Sequence, residues 1–410
     1  MHERGMTIAE KILSAHCDAK VYANDICFCR IDKMMAHDAN GPMAVRAFRN
    51  MGGKKVCDPD KIFFIMDHAC PAPYERVANL QKMLRDFAAE QGITYYEAGE
   101  GVCHQLMVEK GHVGPGELVL GTDSHTCTYG AVGAFSTGVG ATDMGVAMLT
   151  GKNWFKVPET IKVELKGSLN PGCSSKDVIL TVIGRITAAG ANYKSVEFYG
   201  EYLDRCTLAD RMTISNMVVE MGGKCGFICT SDLQIRADED AVYCQTLTID
   251  LNDVVPCVAK PHMVDQYAPV SEVAGTKIQV AFLGSCTNGR IEDLRIAAKM
   301  LQGKKVAPGV RLLVTPASRD VMLQALREGI VHTLTQAGAV FFTQGCGACV
   351  GTHGGVPADG EVVISTANRN FKGRMGNSKA FIYLASPETV IASCLTGEIT
   401  DPRENKEAML

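Results

Sequence analysis

Two thiols, Cys346 and Cys349, stand two residues apart in the glycine-punctuated run Gly345-Cys346-Gly347-Ala348-Cys349-Val350-Gly351. A third, Cys286, lies in Gly284-Ser285-Cys286-Thr287-Asn288-Gly289-Arg290. Glycines at that density let a backbone fold closely around an inorganic ligand. Thiolates hold iron–sulfur clusters, ordinarily in sets of four. Three alone would leave one iron open to water or substrate, a Lewis acid rather than an electron carrier. The same residues admit a second chemistry. With His353, four residues past Cys349, they make a complete set of three cysteines and one histidine for zinc. An isolated C-x-x-C also occurs in redox sites and in sites without chemistry, so spacing alone leaves the choice open.

Three of the ten histidines lie in acid-rich surroundings: Asp67-His68, Glu100-x-x-x-His104 and Asp123-Ser124-His125. A carboxylate beside a histidine fixes its tautomer and supports the imidazolium that general acid catalysis uses. His37 and His262 read as ordinary structural histidines. Arg369 and Arg374 share the stretch Asn368-Arg369-Asn370-Phe371-Lys372-Gly373-Arg374. Planar guanidiniums grip carboxylates bidentately, so the pair suits a di-acid; the plainer reading is a solvated basic loop.

The elements that must position these groups are short apolar strands, each just ahead of a polar motif. Asp67-His68 follows KIFFIM, Thr122–Thr126 follows ELVLG and Gly284–Arg290 follows IQVAFL. Gly345–Gly351 follows AVFFT, and Asn368–Arg374 follows EVVIST. Ligands of open parallel sheets bind outside the carboxyl ends of the strands, so five such loops imply one cleft between blocks. Helical periodicity alternates with the strands. Val77, Leu80, Leu84 and Phe87 share a face that stops at Gly92, and Ile291–Leu301 follows the strand Ile278–Leu283. The pattern is α/β with largely parallel sheets. Proline-bearing stretches at Asn153–Thr160 and Pro256–Pro269 divide it into three α/β blocks, residues 1–157, 158–265 and 266–410.

A chain of 410 residues exceeds one hydrophobic core. Its 46% hydrophobic and 21% charged residues are those of a globular protein. A net charge of -4 offers no electrostatic footprint for nucleic acid or an anionic membrane. The start, Met1–Met6, runs into a polar helical stretch without an apolar leader, and no apolar run is long enough to span a bilayer. The 17 scattered cysteines then read as reduced thiols or metal ligands in the cytoplasm. Cys17, Cys27, Cys29, Cys57, Cys70, Cys225 and Cys229 read as buried small hydrophobes.

Taken in series, GTDSHT, GSCTNGR, GCGACVGTHGG and NRNFKGR resemble the aconitase superfamily, and the resemblance runs from Thr7 to Thr400. MTIAEKIL, MAHDANGP, GEGVCHQ and WFKVPETIKV are similar to its two-chain alkylmalate dehydratases rather than to the long single-chain aconitases. The resemblance implies three α/β domains around a cluster-containing cleft, without the fourth, swivelling domain. It implies one [4Fe-4S] cluster on Cys286, Cys346 and Cys349, with His353 structural, and a hydro-lyase acting on a malate-type hydroxy di-acid. Asp67 and His68 would protonate the departing hydroxyl. His104 with Asp123, and His125 with Glu197, would manage the water and hydroxyl of the reaction. Ser124, Arg369 and Arg374 would bind substrate carboxylates, while His37 stands where the long aconitases have glutamine.

In this family a serine of the swivelling domain takes the carbon-bound proton. The chain ends at Leu410 soon after the third block, so the resemblance implies a small-subunit partner. The stretch from Cys229 to Asp250 is short for an isopropylmalate enzyme, which keeps homocitrate and smaller alkylmalates open as substrates. RNA binding, known among cluster-free relatives, has the net charge against it, and a structural zinc protein is the remaining alternative.

Overall fold

Apolar runs bounded by turn residues form mostly parallel strands in three larger sheets, and a fourth sheet has only two strands. The computed structural model describes residues 4–404; the first half of the Met1–Met6 stretch and the chain's last six residues lie outside the described residues. The first sheet runs in the order Thr94–Tyr96, Ile62–Ile65, Lys33–His37, Leu118–Gly121 and Phe135–Gly138, all parallel. The second orders Cys225–Ile228, Ser195–Tyr199, Thr160–Lys166 and Gln245–Asp250, again all parallel. The third has seven strands. Its parallel part orders Phe381–Ala385, Val362–Ser365, Val280–Leu283, Arg311–Val314 and Ala339–Phe341. Cys257–Ala259 and Tyr267–Pro269 extend it antiparallel at one edge.

Local chemistry explains the elements that aim the site. Every residue of Ile62–Ile65 is buried, as a parallel strand covered on both faces requires. The helix Glu75–Gln91 stops at Gly92, whose φ of 76° is the left-handed cap that glycine adopts without strain. Thr7 and Glu10 form a reciprocal capping box that starts the helix Ile8–Cys17. One apolar core joins the second and third sheets, with Val163, Phe198, Phe282 and Leu384 in a single cluster. Across that junction, fully buried Lys176 donates to the carbonyls of Thr366 at 2.6 Å and Ala367 at 2.9 Å.

Three sequence expectations need correction. The stretch 153–160 is not a plain connector: Lys152–Lys156 is a strand, paired antiparallel with Ile26–Arg30. Pro158 follows that strand rather than interrupting it. The stretch 256–269 likewise contains two strands of the third sheet, which therefore begins ahead of residue 266; its Pro269 ends an edge strand, where a missing N–H costs no ladder bond. Cys57 is exposed rather than buried, and Cys17 and Cys229 are only partly covered.

His16 ties the first helix to the first sheet. Its Nδ1 lies 2.6 Å from the Ile12 carbonyl and its Nε2 lies 2.6 Å from Asp32 Oδ2. Both partners accept only, so the imidazolium satisfies both. Burial opposes that charge, yet the bonds to Asp32 and Ile12 hold the pKa above the usual histidine value. A raised histidine stabilises the fold fully below its unfolded pKa and stops doing so as pH rises through the folded one. His16→Ala should therefore cost about 1 kcal/mol near pH 6 and progressively less toward about pH 9. Urea unfolding across that range checks it; a pH-independent difference would contradict the charged pair.

Candidate active site

The loop after Ile62–Ile65 is held from beneath by Asp38. Its carboxylate accepts from the backbone N–H of His68 at 2.9 Å and Ala69 at 3.0 Å, and from Gln81 Nε2 at 3.0 Å. Above it, Asp67 Oδ1 lies 2.7 Å from His68 Nδ1, while Oδ2 accepts from the Cys103 N–H at 2.7 Å. Burial works against both charges. The His68 charge nevertheless keeps Asp67 below the usual carboxylate range, and Cys346, Asp67 and Asp123 together raise His68 well above the usual histidine value. The His68 ring stacks on His37 with centroids 3.9 Å apart. Burial and the His68 charge hold His37 below its ordinary value, so a neutral ring backs a charged one.

Asp123 caps the 3-10 turn Ser124–Val132 that follows the strand Leu118–Gly121. Its Oδ1 lies 2.7 Å from His104 Nε2 and accepts from the His125 N–H at 2.7 Å. His68 Nε2 approaches Oδ2 at 3.5 Å. Burial penalises this carboxylate, but the bonds from His104, His125 and His68 hold its pKa well below the carboxylate range.

The expected pairing of His125 with Glu197 is not found. His125 Nε2 lies 2.7 Å from Glu220 Oε1, which also accepts from Arg369 Nε at 2.8 Å. Glu197 sits mid-strand in Ser195–Tyr199, away from the strand's carboxyl end. There it accepts from the Ile8 N–H at 2.8 Å, from Tyr199 Oη at 2.6 Å and from Tyr243 Oη at 2.8 Å, anchoring the first helix instead. Glu220 belongs to the 3-10 turn Met217–Met221, which packs on the Ser124–Val132 turn. The signal for it was an acid set among apolar residues directly ahead of the Gly222-Gly223 turn.

The three motif cysteines meet at this place, each buried. Cys286 Sγ receives Asn216 Nδ2 at 3.1 Å and Asn368 Nδ2 at 3.3 Å; the other end of the Asn368 carboxamide is 3.7 Å from Cys349 Sγ. Arg374 Nη2 lies 3.2 Å from Cys349 Sγ. Cys346 Sγ lies 3.7 Å from His68 Nδ1, and Cys286 and Cys346 share a small apolar cluster with Val102 and Ala317. Burial pushes the Cys286 thiol up to about 11 and Cys346 well above the ordinary thiol value. For Cys349 burial acts the same way, but the Arg374 guanidinium overrides it and holds the thiol below that value.

This donor set fits an iron–sulfur cluster better than one zinc ion. A tetrahedral zinc holds its donors about 4 Å apart. Among the described residues, Cys286, Cys346, Cys349 and His353 are not a group whose donor atoms all lie within 4.8 Å. A cluster takes each thiolate on a separate iron and needs the wider spacing. Gly345 lets the thiol loop close on the Asp67 loop: at φ 152°, an added Cβ would lie 2.6 Å from the Asp67 carbonyl, which accepts the Cys346 N–H at 2.8 Å. The His353 and Phe342 rings meet edge to face, and neither His353 ring nitrogen has a hydrogen-bond partner.

Beside the thiols opens a cavity of about 560 Å³, lined by His37, His68, Ser124, His125, Arg369 and Arg374 among others. Lys224, not singled out from the sequence, also lines it, with its ammonium 4.7 Å from the centre of the Tyr193 ring. Asp67, His68, His104, Asp123, Ser124, His125, both arginines and the three cysteines are thus brought together, and Glu197 is not.

Comparison with known proteins gives the family. The Aconitase family (aconitate hydratase) matches residues 10–236 and 230–397. The 3-isopropylmalate dehydratase large subunit 2 of Archaeoglobus fulgidus is 48% identical over 415 residues, 98% of this chain and 99% of that one. The probable methanogen homoaconitase large subunit of Methanosarcina mazei is 49% identical over 389 residues, 91% of this chain and 99% of that one. In fold, the chain resembles the holo-form crystal structure of Thermococcus kodakaraensis aconitase X, with a TM-score of 0.51, 14% identity and 88% of each chain covered. The chain belongs to the aconitase family.

Proposed function

We propose that this chain is the large subunit of a cytoplasmic hydro-lyase that dehydrates and rehydrates 3-isopropylmalate. It holds one [4Fe-4S] cluster on Cys286, Cys346 and Cys349, and it works with a small subunit that carries the swivelling domain. The observation that carries this reading is the meeting of three thiols with three histidine–carboxylate pairs, His68 Nδ1 standing 3.7 Å from Cys346 Sγ. When bound, such a cluster supplies a Lewis acid at the iron without a protein thiolate.

The chain's own residues supply the rest. Asp67 holds His68 by Nδ1, so Nε2 carries the proton that a departing hydroxyl needs, a poor leaving group otherwise. His104 is held by Asp123 at Nε2 and by the Tyr129 hydroxyl 3.2 Å from Nδ1, while His125 is held by Glu220 at Nε2 and turns Nδ1 toward Ser124 Oγ at 3.4 Å, so both rings have fixed orientations. Ser124, Arg369 and Arg374 offer a hydroxyl and two guanidiniums to substrate carboxylates. The base that takes the carbon-bound proton comes from the small subunit.

A second reading, homocitrate, has Lys224 in its favour: a further cation in the same cavity is suited to a third carboxylate. The Methanosarcina relative bears a homoaconitase name. Alkene formation across alkylmalates and homocitrate, measured anaerobically with the small subunit, separates the two. We expect turnover only with both chains present and highest on 3-isopropylmalate; preference for homocitrate would favour the second reading. Turnover by this chain alone would overturn the two-subunit assignment, and none on the panel with the cluster intact would overturn both readings.

The carboxylate assignment has its own check. Glu220→Gln should lower kcat/KM about 100-fold and displace its pH profile. Glu197→Gln should lower the unfolding temperature yet leave the pH profile in place. Equal kinetic losses in both variants would contradict the assignment.

A further inference from the structure

A second group of thiols lies far from the cleft motifs in sequence. Cys17 ends the helix Ile8–Cys17, and Cys27 and Cys29 lie on the strand Ile26–Arg30. Alternate residues of a strand face the same way, and here both cysteines face inward beneath the two-stranded sheet. The three sulfurs lie within 4.8 Å of one another, and Cys27 Sγ is 3.5 Å from Cys29 Sγ. A d10 cation bound by thiolates at roughly 2.3 Å holds its sulfurs about 4 Å apart, so these are nearly in place.

The surroundings favour a cation independently of that spacing. Cys29 Sγ faces the Leu13 carbonyl at 3.6 Å and Cys27 Sγ faces that of Phe155 at 3.7 Å. Cys17 Sγ faces the carbonyls of Ser14 at 3.7 Å and Ala19 at 3.5 Å. Without metal the protonated thiols donate to these carbonyls; a cation that displaces the three protons meets the same negative carbonyl ends and the helix C-terminus. Cys27 and Cys29 are buried, while partly covered Cys17 gives an entry path and one position open to water. Three thiolates leave a net charge of about −1 with a divalent ion and about −2 with a monovalent one, and the apolar surroundings favour the smaller.

We propose that Cys17, Cys27 and Cys29 form a metal site for a divalent thiophilic cation of the zinc class. Binding replaces the three thiol protons, released to solvent, by metal–sulfur bonds and a water on the Cys17 side. The site fastens the first helix to the two-stranded sheet.

The test is an anaerobic titration of the reduced full chain, its cluster in place, with cadmium as the spectroscopic probe and zinc as competitor. We expect one equivalent of cadmium per chain, a thiolate-to-cadmium charge-transfer band, displacement by zinc, and a rise in unfolding temperature. Cys17→Ser, at a partly covered helix end, should keep its metal-free unfolding temperature and weaken binding at least about 100-fold. Cys29→Ala should abolish the band, and Cys57→Ser, at an exposed cysteine, should leave it unchanged. No band in the unaltered chain, a band undiminished in Cys17→Ser, or one lost in Cys57→Ser would each overturn the site.

Discussion

The hydrogen bond from the Cys346 N–H to the Asp67 carbonyl, 2.8 Å long, joins the loop of the thiols to the loop of the acid histidine. It requires Gly345, because any side chain there would collide with that carbonyl. Everything else about the site follows from the contact. It brings the carboxyl ends of two parallel sheets face to face and puts Cys346 Sγ beside the His68 ring. An iron–sulfur group held by the thiols would lie within reach of a protonated imidazole.

Around that contact the charges are layered rather than scattered. Asp123 serves three histidines at once, which is why it stays ionised although enclosed. Glu220 does the same for His125 and Arg369. Each buried anion has a cationic or N–H partner within hydrogen-bond reach, as the cost of enclosing an unpaired charge demands. The neutral His37 ring stacked on His68 completes the arrangement: a second imidazolium there would repel the first. Lys176 and Asp38 act at one remove, fixing the loops on which the reacting side chains stand.

Much of this was legible from residues alone. The five strand-end loops were visible because buried parallel strands are short uninterrupted apolar runs, and the polar residues after them must be at their ends. The meeting of those loops in one cleft followed from the behaviour of parallel sheets. The partner of His125 was not legible, because it depends on where a side chain points. Glu197 lies in a strand whose middle faces the first helix, whereas Glu220 lies in a turn that reaches the cleft. The strand Lys152–Lys156 was hidden by the nearby Pro158, and the edge strands of the third sheet by their shortness and prolines. The Cys17 group was invisible for a related reason: its members come from two elements whose packing no local pattern reports.

In the function proposed above, Cys286, Cys346 and Cys349 hold an iron–sulfur cluster with one iron free of protein ligation. The most direct measurement is Mössbauer spectroscopy of the anaerobically reconstituted chain, enriched in iron-57, before and after a hydroxy di-acid is added. About four irons per chain are expected, of which about one changes its signal when the acid binds. A spectrum unmoved by the acid, or a cluster retained when all three cysteines are replaced by serine, would contradict it.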